Sequence, residues 1–359
     1  MREKRCRVGF IAARRVAKEV ESEFQAFQTV ASQVVDVIAT AGVVLDQFNN
    51  VVRASPGAVQ FGLVQNRRLI HAALVKLVDR ARISSGAVKE DVVLETGLRR
   101  DQVWVDARAA RFGENYVMLI VEDRTESKKL EDTRRDFVAN VSHELKTPIG
   151  AIGLLAEAIV GAADDPQMVQ KFAGSMQKES QRLANLVQEL IQLSKVQGAK
   201  LGENTVSIDL AAAITDAVER NHLLAEQRNI KVVSAAEPGV KIRGDYEMLT
   251  TAIRNLIENA IVYSNPGSQV GVGLREVEGI AEIAITDSGI GIPESEQERI
   301  FERFYRVDPS RSRETGGTGL GLSIVKHTAL NHGGEVRLFS KVGIGSTFTF
   351  RVPIENQES

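Results

Sequence analysis

The sequence predicts a multidomain protein of mixed class: an α+β segment on an antiparallel sheet, a helical hairpin, and an α/β half. Three observations carry this. The chain has 359 residues, enough for two or three domains at roughly 100–200 residues each. Its hydrophobic period changes twice, from alternating runs over 41–124 to helical spacing over 126–197, then to interleaved strands and helices. Its glycines gather in the last third, where turns and ligand loops need them.

Composition narrows the function classes. At 43% hydrophobic and 26% charged residues the chain can build more than one core, which excludes a wholly disordered protein. Lys+Arg 45 against Asp+Glu 47 leaves a net charge of −2, so bulk charge gives no case for direct nucleic-acid binding. Cys6 is the only cysteine, which excludes a disulfide framework and a cysteine-rich zinc site and fits a reducing compartment.

Residues 1–40 begin with Val8–Ala13 between Arg5, Arg7, Arg14 and Arg15. This apolar run is too short for a signal peptide, and its basic flanks suit either a membrane surface or a solvated helix start. Val20, Phe24, Phe27, Ala31, Val34 and Ile38 then alternate at four and three, an a/d seam. The seam fits a paired coiled coil or one amphipathic helix packing on its own domain. No stretch is long enough for a membrane span; the longest candidate, Ile149 to Ala163, is broken by Glu157.

From Ala41 the runs shorten. Gly42–Asp46 and Val51–Arg53 read as a hairpin, Leu69–Arg82 as a helix, and Val92–Thr96, Gln102–Arg108 and Asn115–Val121 as three later strands. His71 is read as structural. Over 126–199 two helices follow, turned by Asp164-Asp165-Pro166, with Pro166 opening the second. Val141, Leu145, Ile149, Ile152, Leu155 and Ile159 line the first; Met176, Leu183 and Leu190, with Leu186 and Leu193 beside them, line the second. One hairpin cannot bury that much apolar face, so two copies are expected to form a four-helix bundle, with Leu183 and Leu190 in its seam. The α/β half is expected to hold strands at 206–208, 230–233, 240–243, 270–274, 280–286, 335–340 and 346–352, with helices over 210–226, 247–263 and 320–331.

Five constellations carry chemistry. In Phe137–Ile149, the adjacent His143 and Glu144 avoid the face of Val141, Leu145 and Ile149. A carboxylate beside an imidazole holds the proton on one ring nitrogen and frees the other lone pair for attack. Pro148 should kink this helix and free a carbonyl one turn back. In Asn255–Tyr263, Asn255 and Asn259 share a helix face, and an amide oxygen is a hard neutral ligand suited to Mg²⁺. Asp287-Ser288-Gly289-Ile290-Gly291 follows a strand; its carboxylate can accept the exocyclic amine of adenine, and its glycines let backbone approach the base. Arg299–Arg306 mixes aromatics for a mobile lid with Arg303 and Arg306, which could reach a terminal phosphate. Gly317-Thr318-Gly319-Leu320-Gly321 opens a helix, where backbone N–H groups favour phosphate. His222, His327 and His332 are read as packing or surface groups.

These residues resemble a known family. The run around His143 resembles the phospho-acceptor box of two-component sensor histidine kinases. The order of the other boxes is similar to the nucleotide-binding sandwich shared by histidine kinases, Hsp90, gyrase and mismatch-repair ATPases. The Arg135-Asp136-Phe137 lead-in and Asn259–Ser264 look most like actinobacterial phosphate-responsive sensor kinases. The resemblance implies a dimeric enzyme that uses ATP and Mg²⁺, phosphorylates His143 with Glu144 as general base, and passes the phosphoryl group to an aspartate of a response regulator. Thr147 would orient water for phosphatase action on that partner. Asn255, Asn259, Tyr263, Asp287, Gly289, Gly291, Arg303, Arg306, Gly317, Thr318, Gly319 and Gly321 would form the nucleotide site, with Asn259 on the metal. Residues 41–125 resemble a PAS sensor domain, giving an expected order of basic N-terminus and signalling helix (1–40), PAS-like sensor (41–125), dimerisation and acceptor hairpin (126–199) and ATP-binding domain (200–355). The chain as given would be cytoplasmic, in a family usually anchored on the inner side of the membrane.

Two other readings fit parts of the pattern. ATP-hydrolysing relatives of the chaperone and topoisomerase type place a glutamate four residues before the metal asparagine; here that position is Asn255, which favours transfer over hydrolysis. A silent dimeric scaffold would not need His143, Glu144, Asn259 and Asp287 together. One departure from the family is Val262, where many members carry a phosphate-contacting lysine.

Overall fold

A computed structural model describes residues 41–96, 101–198, 205–308 and 317–355. The basic start and the seam helix expected over 1–40 lie outside the described residues. The chain divides into two compact units at Asp136/Phe137.

In the first unit, β1 (Ala41–Leu45) and β2 (Val51–Ala54) form the expected hairpin. A short α1 (Pro56–Gln60), a two-residue hairpin of β3 (Val64–Gln65) and β4 (Arg68–Leu69), and α2 (Ala72–Ile83) follow. Then β5 (Val88–Thr96), β6 (Asp101–Phe112) and β7 (Tyr116–Asp123) complete one antiparallel sheet in the order β2-β1-β7-β6-β5. The period-two pattern of β7 puts Val117, Leu119 and Val121 in the core, facing Leu74, Leu77, Val78 and Ala81 of α2 at helical spacing. Asp106 is a buried exception on β6, with its side chain 1% exposed and held by Lys89 at 3.0 Å and Arg108 at 2.9 Å. Those hydrogen bonds outweigh burial and bring its carboxyl down to about 2.

The helix α3 (Thr125–Gly161) continues through Pro148. Proline has no N–H for the Glu144 carbonyl, and Thr147 Oγ1 donates to the His143 carbonyl at 3.2 Å in the same turn. Asp165 then turns the chain and its carboxylate accepts the Gln167 and Met168 N–H groups, starting α4 (Pro166–Gly198). No helix among the described residues is long and apolar enough to cross a membrane.

The α/β part of the second unit begins with β8 (Val206–Asp209), α5 (Leu210–Arg220), α6 (His222–Gln227), β9 (Lys231–Ala236) and β10 (Lys241–Gly244). It continues with α7 (Tyr246–Tyr263), β11 (Gln269–Val277), β12 (Ile280–Thr286), α8 (Gly321–Asn331), β13 (Glu335–Lys341) and β14 (Gly345–Pro353). The main sheet runs β13-β14-β12-β11-β9, with β9 and β11 parallel, while β8 and β10 pair separately. Its inner face, with Val270, Val272, Ile283, Ile285, Phe348 and Phe350, shares one core with α5, α7 and α8. The helix expected over 210–226 is two helices. Asn221, 3% exposed, turns its amide back on the Ala217 carbonyl at 3.0 Å and across to the Arg254 carbonyl at 3.3 Å, and the backbone breaks there. His332 has the structural role expected of it: Nε2 accepts the Asp245 N–H at 3.1 Å and Nδ1 meets the Thr328 carbonyl at 2.7 Å, tying the end of α8 to the start of α7.

Candidate active site

Asp287 stands at the end of β12 because the strand alternation stops there and the chain turns through Ser288-Gly289. It is 8% exposed, and its Oδ1 accepts the Gly289 N–H at 2.9 Å and the Ser346 N–H at 3.1 Å. Burial pushes its carboxyl above the ordinary value, with these two hydrogen bonds opposing. A Cβ at Gly289 would come within 2.3 Å of the Tyr263 carbonyl oxygen, and one at Gly291 within 2.1 Å of the Lys341 carbonyl oxygen. Both glycines are therefore required by close backbone approach. That approach brings the Asp287 turn to Tyr263 and the end of α7, where Ser264 and Gly289 form a bridge.

On α7, Asn255 is 7% exposed and its Nδ2 donates to the Gly321 carbonyl at 3.5 Å, joining α7 to the start of α8. Asn259, one turn on, is half-buried and its amide has no hydrogen-bond partner among the described residues. That free neutral oxygen fits Mg²⁺, which draws its remaining ligands from phosphate and water. Among the described residues no cluster of three His, Cys, Asp or Glu could hold a metal by itself. Val262 is half-buried on the same helix.

The glycine-rich loop ends at the start of α8. Its Thr318 is 6% exposed and its hydroxyl donates to Glu189 of α4, while the Gly319 carbonyl accepts the Phe304 N–H at 2.9 Å. The lid segment before it is packed by aromatics: Phe301 meets Phe348 edge-on at 6.4 Å, and Arg299 stacks over Tyr305 at 4.3 Å.

The acceptor helix presents His143 with its side chain 77% exposed, and Glu144 Oε1 lies 4.0 Å from Nδ1. Glu144 is turned toward the α/β part of the unit. Its Oε2 accepts from Arg306 at 3.3 Å and lies 4.0 Å from Arg182. The two arginines expected at a terminal phosphate thus face the hairpin. Arg306 is 11% exposed and paired with Glu144; Arg303 lies 5.3 Å over the Phe137 ring. The physical reason is desolvation, since the guanidinium groups find a carboxylate and an aromatic face in a seam closed by apolar contact. Leu186, Leu193 and Val196 of α4 are buried there with Leu320 and Ile324, and Phe137, Leu145, Leu190 and Phe304 pack against them.

Part of the expected stripe is also used within the unit. Leu186 and Leu193 are buried in one cluster with Leu320 and Ile324, and Leu190 packs against that cluster, whereas Val187 at 42% and Ile191 at 46% stay exposed on the next face. The motif search also missed Glu189, Arg182 and Arg254. Only Glu189 left a signal: a carboxylate between Leu186 and Leu193 at stripe spacing.

Comparison with known proteins agrees with this geometry. Residues 133–199 match the His Kinase A (phospho-acceptor) domain, and residues 244–356 match the histidine kinase-, DNA gyrase B- and HSP90-like ATPase family. The sensor-like histidine kinase SenX3 of Mycolicibacterium smegmatis is 44% identical over 317 residues, covering 86% of this chain and 82% of SenX3. The chain belongs to the sensor histidine kinases. A second relative of the kinase, the phosphate regulon sensor protein PhoR of Pseudomonas aeruginosa, is 34% identical over 240 residues, covering 66% of this chain and 54% of PhoR. The solved complex of histidine kinase ThkA with response regulator protein TrrA shares its fold, with a TM-score of 0.50 at 19% identity over 90% of this chain and 98% of that one. As a sensor histidine kinase, the protein phosphorylates itself on histidine from ATP and acts in two-component signalling. The hydrolytic-ATPase and silent-scaffold readings are not favoured.

Proposed function

We propose that His143 is the residue phosphorylated and that the phosphoryl group then passes to an aspartate of a response regulator. One observation carries the assignment: an exposed imidazole whose neighbouring carboxylate already touches the ATP-binding part of the same unit. When Arg306 leaves, Glu144 can close the 4.0 Å gap and hold the Nδ1 proton. The Nε2 lone pair then attacks the terminal phosphorus, the phosphorus–oxygen bond to ADP breaks, and ADP leaves with that electron pair. Asp287 would read adenine, Gly289 and Gly291 would admit it, Tyr263 and Asn255 would line the site, and Gly317, Thr318, Gly319 and Gly321 would hold phosphates. Asn259 would hold Mg²⁺, which spreads the charge of the phosphates when bound. Arg303 and Arg306 reach phosphate only after leaving the hairpin.

Thr147 would orient water for hydrolysis of the regulator's phosphate. Val187, Ile191, Ile149 and Val160, all exposed, support a homodimer through the hairpin. The sheet order β2-β1-β7-β6-β5, with helices between its second and third strands in sequence, supports a PAS-like sensor over 41–125. The name of the Pseudomonas relative supports phosphate supply as the stimulus. The acceptor hairpin would begin at 126 and the ATP-binding domain at 200, and the basic start would offer a contact to the inner membrane surface. Incubation with γ-labelled ATP tests the central claim. The label should be acid-labile and base-stable, and His143→Gln should abolish it while nucleotide still binds. Label retained on that variant would move the acceptor elsewhere.

A further inference from the structure

We infer that Glu189 is a positioning residue for the nucleotide loop: it holds Thr318 against the hairpin, so that hairpin and nucleotide compete for the same loop. This rests on the reading of Gly317–Gly321 as the phosphate loop and extends it to a residue outside every motif. The Thr318 hydroxyl donates to Glu189 and accepts the Leu320 N–H at 3.2 Å. Two donors that a phosphate would use are therefore spent inside the protein. Leu320 and Ile324, both 0% exposed, seal the contact against α4, and at the far end of α8 the Asn331 amide donates to the Val196 carbonyl at 2.5 Å. The helix behind the loop is held at both ends.

The charges around Glu189 come from three elements. Arg254 and Glu258 face it from α7 and Arg306 from the lid, while Glu144 on α3 shares Arg306. The cluster is not saturated, because Arg254 Nε, Arg306 Nε and Gln192 Oε1 are buried without a hydrogen-bond partner. Burial, with the Glu258 charge adding to it, pushes the Glu189 carboxyl up to about 7 from its ordinary 4.5. Undocking exposes the carboxyl and returns it toward 4.5, so docking takes up a proton. The docked state keeps its full advantage below that ordinary value and loses it as pH rises through about 7. Nucleotide, which needs the loop free, gains over the same range.

The test is titration of the full chain with a fluorescent non-hydrolysable ATP analogue from acid to mildly alkaline pH, for wild type, Glu189→Gln and Glu189→Ala. Glutamine keeps the size and the hydrogen bond but never ionises; alanine removes the bond. Wild-type affinity should rise at least roughly tenfold across the range, the linkage of one pKa unit, with the full return from about 7 to 4.5 as the upper limit. The Gln variant should lack that rise and bind more weakly than wild type at the alkaline end. The Ala variant should also lack it and bind more tightly than wild type at the acid end. His327, lowered by burial beside Arg303 and Lys326, titrates in all three proteins, as does the analogue, so both effects cancel. Variants that shift affinity in the same direction, or a wild-type pH profile in the Gln variant, would overturn the latch alone. Failure of all three proteins to bind would overturn the nucleotide reading of the loop, and the latch with it.

Discussion

Replacing Asp287 with asparagine separates its structural role from its binding role. The two backbone N–H groups at 2.9 and 3.1 Å both reach Oδ1. An asparagine carbonyl can take that place, leaving its NH₂ where Oδ2 stood. The turn then survives, but the acceptor proposed for the adenine amine becomes a second donor facing a donor. A hydrogen bond to a charged acceptor contributes about 1.5–3 kcal/mol. At 8% exposure little of that is screened away. Asp287→Asn should therefore weaken an ATP analogue by roughly 10–150-fold, with the melting temperature little changed. The difference should narrow as pH falls through the raised value of the carboxyl, because the protonated acid is also a poor acceptor. Calorimetric titration of both proteins decides it. Affinity within twofold of wild type, on a folded variant, would show that Asp287 only ties the turn.

Four other outcomes are expected. Thr147→Ala should lose most phosphatase activity toward the regulator and keep autophosphorylation; equal loss of both would remove its role with water. Val262→Lys should tighten ATP binding about tenfold by adding one charge-assisted contact, unless Arg303 or Arg306 already serves there, in which case titration will show no gain. Glutamate at both Val187 and Ile191 should make the full chain monomeric in sedimentation, since two charges in an apolar seam are costly; Leu190 is a poorer probe because it also packs against the Leu186, Leu193 and Leu320 cluster within the chain. Asp106→Asn should cost about 1–2 kcal/mol, discounted because its partner cations are half-exposed. Its lowered carboxyl gives stability that is present above the ordinary 3.8 and lost as pH falls through about 2. Denaturant unfolding followed at Trp104 should show that loss vanish in acid.

What was legible in the sequence was whatever one element decides alone. The hairpin, the strand alternation and the acceptor run follow from period and local chemistry, and Asn255, Asn259 and Asp287 lie where their elements place them. What was not legible depends on a second element. Asn221 breaks a helix only because the Arg254 carbonyl is within reach. The Leu186–Leu193 stripe could have met a second hairpin as well as α8, and nothing in its spacing chose between them. Arg303 and Arg306 were read from their charge alone, and charge does not say which anion is nearer.

The pairing of Arg306 with Glu144 would work as an interlock under the proposed mechanism. The carboxylate that would handle the proton of His143 is the one gripping the lid, so it could not serve both at once. No separate timer would then be needed to keep chemistry from starting while the lid is down. On the same proposal, idle molecules would keep an imidazole in open solvent without its base until Arg306 let go of Glu144.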